Sequence, residues 1–222
     1  MTELWPATWL SLRIAITATV LATLVAVPLA FSFARWRVPG KSILEALLTV
    51  PLVLPPTVVG FLILMAAGAR SPLGRALKHW FGADYSIAFT FHGAVIASAI
   101  VALPLIYLPA RSAFAQVERE MEDIARLFGA NLPQVFWHVS LPMARRGLTG
   151  GLLLAFARSL GEFGATVMVF GTFADKQTLP ISVYVDYIDG NFAHATAAVL
   201  TLSGISLVTI LLYNRTSLSR QD

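Results

Sequence analysis

The chain has 222 residues, of which 57% are hydrophobic and only 13% carry a charged side chain, and its mean hydropathy is +0.73. Soluble domains contain about 25% charged residues, so this composition excludes an ordinary soluble domain and indicates a polytopic helical membrane protein. The absence of cysteine excludes disulfides and thiolate metal sites, and the net charge of +4 is attributed to membrane orientation, with no nucleic-acid partner expected.

Five stretches have the roughly 20 mostly apolar residues that a membrane helix needs. They cover about 10–34, 47–67, 93–110, 147–170 and 192–213. The first stretch ends in charged residues and not in a cleavage site, so it is predicted to be a retained span. We therefore expect an all-α polytopic membrane domain over 8–214, with about five transmembrane helices. Whether a sixth, partial span exists stays open.

Basic residues predict the orientation of these spans. With residues 111–146 in the cytoplasm, ten Lys and Arg side chains lie inside and four or five lie outside. The inner set is Arg35, Arg37, Lys41, Arg111, Arg119, Arg126, Arg145, Arg146, Arg215 and Arg220; the outer set is Arg70, Arg75, Lys78 and Lys176, with Arg13 near the outer end of the first span. The N-terminus is predicted outside and the C-terminus in the cytoplasm.

Three prolines interrupt the second stretch near its start: Pro51, Pro55 and Pro56. Proline removes a backbone donor and kinks a helix, which is tolerated at membrane depth where protein or a cavity satisfies the freed carbonyls. Interrupted helices often line transport paths. A kinked packing helix is the alternative.

Three basic residues lie in the outer loop against the orientation rule: Arg70, Arg75 and Lys78. They are predicted to contact an acidic rim of an outer partner or to steer an anion. An ordinary solvated loop is the alternative.

Residues 111–146 are too many for a simple connector. The sequence "QVEREMEDIARLFGA" places apolar residues on one helix face, with charged residues such as Glu118, Glu122 and Arg126 between them. That face consists of Val117, Met121, Ile124, Leu127 and Phe128. Gly129 is the predicted helix stop, and a second apolar run ends at Pro142. An apolar face on a cytoplasmic loop predicts a binding surface; a helix lying on the lipid surface is the alternative, which the mixed charges disfavour.

The fourth stretch carries Arg158 and Glu162 near its middle. Each charge at the bilayer centre costs about 2.5–3.5 kcal/mol, and residues four apart on one helix face can pair. The pair is either structural or, with Ser159, part of a gate, a path wall or an interface. Direct binding of an anion is not expected, because Glu162 would repel it. Small residues beside the pair predict close helix packing, either with another subunit or within the chain.

The chain shows no P-loop, no histidine pair at metal-ligand spacing and no set of nucleophile, base and orienting residue. ATP and metal binding by this chain are therefore not expected. A membrane enzyme or a scaffold without a transport path remains the alternative to a transporter.

The segment "DIARLFGANLPQVFWHVSLP" resembles the cytoplasmic loop motif of permease subunits of bacterial ABC importers: Glu-Ala-Ala, three residues, Gly, nine residues, Ile, one residue, Leu-Pro. The matching positions, which directly follow Glu122, are Asp123, Ile124, Ala125, Gly129, Val139, Leu141 and Pro142. Asp123 replaces the Glu, Ile124 the first Ala and Val139 the Ile.

"FARSLGEFGATV" and "VPLVLPPTVVGFLIL" resemble segments of molybdate permeases. Sulfate and thiosulfate permeases share an Arg and a Glu at similar spacing, and the proline-rich segment favours molybdate or tungstate.

The resemblance implies a multi-pass permease of the bacterial plasma membrane, a transport subunit and not an enzyme. It implies a homodimer among membrane lipids, two copies of a cytoplasmic ATPase subunit that uses the ATP, and an extracytoplasmic oxyanion-binding protein. It also implies that the loop residues form a coupling helix against the ATPase and that this chain binds no cofactor. Which oxyanion is carried stays open.

Overall fold

The computed structural model describes residues 4–36, 39–68, 70–82, 86–172 and 177–218, and all regular structure in these residues is helical. Of the basic residues used for the predicted orientation, Arg37, Lys176 and Arg220 lie outside the described residues.

The first helix, α1 (Leu4–Arg35), packs along α5 (Phe91–Ala115). Five alanines, each at most 1% exposed, line the buried side of α1: Ala15, Ala18, Ala22, Ala26 and Ala30. Small side chains at this spacing let two helix backbones approach closely.

The second predicted span is divided in two. It consists of α2 (Lys41–Thr49), a 3₁₀ turn (Val50–Leu52) and α3 (Pro56–Ala67), and the axes on either side of the break differ by 116°. Pro55 has an extended backbone (ψ 134°) and Pro56 is the first residue of α3, so the break lies at the predicted prolines. α3 has 12 residues. At 1.5 Å per residue it is about 18 Å long, shorter than the roughly 30 Å hydrocarbon core.

Short helices precede and follow α5. α4 (Pro72–Phe81) precedes α5, and the Ser71 hydroxyl caps it by accepting a hydrogen bond from the Gly74 N–H at 2.8 Å. After α5 come α6 (Arg119–Leu127), α7 (Leu132–Val135) and a π-helical turn (Phe136–Ser140), which continues into α8 (Leu141–Leu160). The chain between α5 and α8 is therefore a folded excursion followed by re-entry into the bundle, and the predicted loop bounds 111 and 146 fall inside these two helices.

The fourth predicted span is also interrupted, and this break was not predicted. α8 ends at Leu160, and α9 (Gly164–Phe170) begins after a bend of 55°. α8 packs on α5 through small residues: a Cβ on Gly151 would lie 2.9 Å from Pro109 Cγ. Packing within the chain therefore uses part of the small-residue set, in agreement with the second of the two alternatives.

The last helices are α10 (Leu179–Ile188) and α11 (Phe192–Leu218), which pack on each other. α10 was not predicted; its first N–H group donates to the Ser11 hydroxyl of α1 at 2.8 Å. By length and composition α1, α5 and α11 can each span a membrane, and counting each bent pair as one span gives up to five. This number agrees with the predicted fold.

Candidate functional site

The two interrupted spans meet where α3 crosses α9. A Cβ on Gly60 would lie 2.8 Å from the Ala165 carbonyl oxygen, and a Cβ on Gly164 would lie 2.9 Å from Pro56 Cβ. This contact brings Pro56 close to the segment that contains Glu162, since Gly164 follows Glu162 by two positions. Pro51 lies in the 3₁₀ turn on the α2 side of the break.

The carboxylate of Glu162 occupies the break in the fourth span. Its Oε2 lies 2.5 Å from Arg158 Nη1, so the predicted pairing is present. Its Oε1 accepts a hydrogen bond from the Ala165 N–H at 2.8 Å, in the first turn of α9. An acidic side chain at a helix N-terminus satisfies an unpaired N–H and interacts favourably with the helix dipole. This capping contact gives the buried carboxylate a second partner besides Arg158, and it was not predicted.

The two members of this ion pair differ in exposure. The Glu162 side chain is 1% exposed and that of Arg158 is 35% exposed. Ser159, between them, is buried, and its hydroxyl makes no hydrogen bond with any described residue. The break therefore combines a buried carboxylate with a guanidinium that reaches open space.

An aromatic hollow of about 460 Å³ lies beside this break. Its lining is Phe163, Pro180, Val183, Tyr184, Tyr187, Phe192, Ala195, Thr196 and Val199. The rings of Phe163 and Tyr184 have centroids 5.2 Å apart. The sequence analysis does not predict this hollow; the tyrosine and phenylalanine residues within 184–192 are the available signal. Its mainly apolar wall does not suit a hydrated dianion.

The helix α6 presents its apolar side to solvent. Leu127 and Phe128 are 86% and 89% exposed, and Met121 and Ile124 are about half exposed. Val117 was predicted on the same face; this prediction is wrong, because Val117 precedes α6 and is buried. An apolar surface of this kind is typical of a site that a partner covers.

Gly129 ends α6 in the predicted way. Its φ is +87°, and the N–H groups of Gly129 and Ala130 donate to the carbonyls of Arg126 and Ala125 at 2.9 and 3.0 Å. This double hydrogen bond is the Schellman pattern, which favours glycine. The turn borders a hollow of about 380 Å³, lined by Ala125, Phe128, Gly129, Ala130, Gln134, His138 and Val139.

The predicted loop residues Asp123, Leu141 and Pro142 do not line this hollow. Asp123 is exposed and pairs with Arg126 at 3.0 Å within α6. Leu141 packs against the main core, and Pro142 is exposed in the first turn of α8. Ala125, Gly129 and Val139 are therefore the motif positions that the fold brings together.

Glu122 differs from its predicted place among the charged surface residues. It is 2% exposed, and its Oε1 accepts hydrogen bonds from Arg35 Nε at 2.9 Å and Ser140 Oγ at 2.7 Å. Arg35 is far away in the sequence, so no local pattern indicates this pair.

A second carboxylate, that of Glu45, holds α2 against α5. Its Oε1 lies 3.0 Å from Arg111 Nε and accepts a hydrogen bond from the Tyr107 hydroxyl at 3.0 Å. This cluster was not predicted either. A lone acidic residue within the apolar run "SILEALL" was the available signal.

The predicted outer residues lie on α4 and just before it. Arg70 and Arg75 are exposed and Lys78 is half-buried. Because α4 precedes α5 and α6 follows it, these side chains and the apolar side of α6 lie near opposite ends of the bundle.

Apolar helices, two interrupted spans in contact and a helix with an exposed apolar side at one end are the features of a polytopic helical membrane protein. Residues 10–217 match the family of binding-protein-dependent transport system inner membrane components, and the chain belongs to this family. It is thus a multi-pass permease subunit of an ABC importer, a transport component and not an enzyme. The family implies ATPase and binding-protein partners.

Several named proteins are similar to the chain. A molybdenum transport system permease protein of Haemophilus influenzae is 38% identical over 206 residues, covering 91% of this chain and 89% of that protein. A putative molybdenum permease of Bacillus subtilis is 42% identical, covering 77% and 75%. A sulfate permease of Synechococcus elongatus is 35% identical, covering 91% and 73%. A chain of the inward-facing MetNI methionine transporter has the same fold, with 17% identity, a TM-score of 0.70 and coverage of 97% and 94%.

Proposed function

We propose that this chain is the permease subunit of an ATP-driven importer of molybdate or tungstate. The similarity to molybdenum permeases over about nine tenths of the chain carries this proposal. A sulfate permease is nearly as similar, so sulfate or thiosulfate import is the second candidate. The interruption at Pro55 and Pro56 favours molybdate, because it lies in the segment that resembles molybdate permeases.

The transport path is proposed to run beside the contact between α3 and α9. Interrupted helices at membrane depth are tolerated where protein or a water-filled cavity satisfies their ends, and transport paths meet that condition. Two copies of the chain enclose the path. The large unburied surface of α11 supports this arrangement, since only 17% of its most apolar stretch is buried within the chain. Lipids and the second copy cover the rest.

The end of the bundle with α6 is proposed to be cytoplasmic, with the N-terminus outside and the C-terminus inside. Eight described basic residues lie in the segments assigned to this end: Arg35, Lys41, Arg111, Arg119, Arg126, Arg145, Arg146 and Arg215. That distribution fits the rule for positive residues. One ATPase subunit covers the exposed side of α6 in each copy, and the binding protein docks at the end with α4.

In this arrangement ATP binding closes the ATPase pair and displaces both α6 helices. The displacement opens the path to the outside, where the docked binding protein releases its anion. Hydrolysis and product release return the inward-open state. This chain supplies the helices that line the transport path and change position, and it supplies the surface that contacts the ATPase.

Reconstitution tests the proposal. The permease, its ATPase and its binding protein are placed in liposomes, and uptake of molybdate, tungstate and sulfate is compared with and without ATP. We expect ATP-dependent uptake of molybdate, inhibited by tungstate and little affected by sulfate. Uptake of sulfate alone would support the second candidate, and no ATP-dependent uptake of any oxyanion would contradict both.

A further inference from the structure

We infer that Glu122 is a positioning residue that makes α6 move together with the end of α1 and with the π-helical turn. The inference rests on the proposed function, because it assigns α6 the task of carrying ATPase motion into the spans. Glu122 itself faces away from the surface proposed for the ATPase.

One carboxylate oxygen connects three segments of the chain. Glu122 Oε1 accepts from Arg35 Nε at 2.9 Å and from Ser140 Oγ at 2.7 Å, and it lies 2.8 Å from Arg35 Nη2. Arg35 Nη2 also donates to the Val117 carbonyl oxygen at 3.0 Å, just before α6. The side chains of Arg35 and Glu122 are 7% and 3% exposed. Solvent screens the attraction between two such buried charges only weakly. The charge-assisted hydrogen bonds of this pair therefore hold the two side chains firmly in place.

Apolar packing contributes little to the attachment of α6. Glu122 is the only buried residue among the nine of this helix. The second ion pair of α6, between Asp123 and Arg126, lies within the helix and is exposed, so it joins α6 to nothing else. Leu127 and Phe128 face solvent. The position of α6 therefore depends on the polar contacts of Glu122, which leaves its apolar side available to a partner.

The π-helical turn extends this connection to the fourth span. The Leu141 N–H donates to the carbonyl of Phe136, five residues earlier, and Ser140 is fully buried against Glu122. Turns of this type are rare and occur often at functional sites. The turn leads directly into α8, whose far end is the break at Glu162. A displacement of α6 is thereby transmitted both to α1 and to α8.

The first test measures anion uptake per ATP hydrolysed in the reconstituted complex. Glu122→Gln and Arg35→Gln are each expected to reduce this ratio roughly tenfold, because each leaves a buried charge or dipole without its partner. Capture of the ATPase should be unchanged, since the apolar side of α6 is intact. The double variant should be no worse than either single variant, as expected for residues acting through one contact.

Glu118→Gln is the matched control. Glu118 is exposed and precedes α6, and its side chain makes no capping hydrogen bond. We expect wild-type uptake per ATP from this variant. Two milder changes serve if the first variants fail to accumulate: Ser140→Ala keeps the ion pair, and Arg35→Lys keeps the charge but loses the two-pronged donor. Both should give intermediate ratios.

The second test measures distance and does not depend on which anion is carried. The chain has no cysteine, so Trp36→Cys and Arg126→Cys provide its only thiols, and each of the two proposed copies carries one pair of spin labels. In the otherwise unchanged complex, the distance between the two labels of one copy should stay constant through the nucleotide cycle. With Glu122→Gln added, it should broaden or change. Uptake by the labelled double-cysteine variant is measured as well, and it shows whether the two cysteine substitutions preserve transport.

Either of two results would overturn the inference. One is wild-type uptake per ATP in both Glu122→Gln and Arg35→Gln. The other is a nucleotide-dependent change of the label distance when Glu122 and Arg35 are intact. Failure of the unmodified permease to bind an ATPase or to take up any oxyanion would instead contradict the proposed function.

Discussion

Gly60 of α3 lies in backbone contact with Ala165 of α9, and the space between the two helices does not admit a methyl group. A Cβ on Gly60 would lie 2.8 Å from the Ala165 carbonyl oxygen and equally close to Met168 Cβ. Since both helices are halves of interrupted spans, this contact fixes the position of one break relative to the other.

Gly60→Ala should therefore destabilise the protein. Adding a methyl group to a packed contact that includes backbone atoms costs about 1–3 kcal/mol. We expect a lower melting temperature of the purified permease in detergent and reduced uptake in liposomes. Gly204→Ala is the control, because Gly204 is an exposed helical residue of α11 with no atom of its own chain within 4 Å of the added Cβ. That variant should be as stable as the wild type or slightly more stable.

Local patterns in the sequence predict much of this fold. Hydrophobic runs indicate the spans, the prolines at 55 and 56 mark the first break, and Gly129 marks the end of α6. The second break has no such marker, because Gly161 and Gly164 read equally well as small packing residues in a continuous apolar run. Its position depends on the capping of α9 by Glu162 and on the crossing with α3.

The polar contacts of the candidate site are mostly non-local, and this explains why they were not predicted. Arg35 meets Glu122 from the end of a different span, and Tyr107 meets Glu45 in the same way. A single sequence shows the charge but not its partner. The pair at Arg158 and Glu162 is different, because its two members are four residues apart in the sequence and spacing alone predicts their contact.

Gly129→Val should weaken capture of the ATPase while the protein still inserts into the membrane. The φ of +87° is costly for a β-branched residue, on the order of 1–3 kcal/mol. The added side chain itself meets no atom within 4 Å at its Cβ, so the effect is conformational. Co-purification with the ATPase and uptake measure it. Gly129→Asn is the matched control, since asparagine tolerates this backbone conformation, and it should retain most activity. Equal behaviour of the two variants would contradict the role of the turn.

Reversing the outer charges should affect uptake in a salt-dependent way. With Arg75→Glu and Lys78→Glu together, we expect a larger loss of uptake at low than at high ionic strength, because exposed charges are screened over about 10 Å at 0.1 M salt. Initial uptake rates at several salt concentrations measure this. The neutral pair Arg75→Gln and Lys78→Gln should show a smaller loss with the same trend. A loss independent of salt would point to a structural defect in α4. No loss would indicate that α4 is solvated and contacts neither the binding protein nor the anion.

The ion pair at the second break should respond unequally to removal of its two members. Arg158→Gln leaves the Glu162 carboxylate, 1% exposed, without its cation, and an unpaired buried charge costs about 3–5 kcal/mol. Glu162→Gln leaves an arginine that is 35% exposed and reaches the open space beside the break, and the glutamine oxygen can still cap α9. We therefore expect Arg158→Gln to lower the melting temperature more than Glu162→Gln does.

The double variant should recover stability relative to Arg158→Gln, since no buried charge remains. Uptake by the double variant then separates the two roles: a stable but inactive complex indicates a moving contact in the path, as we expect, whereas a stable and active complex makes the pair purely structural.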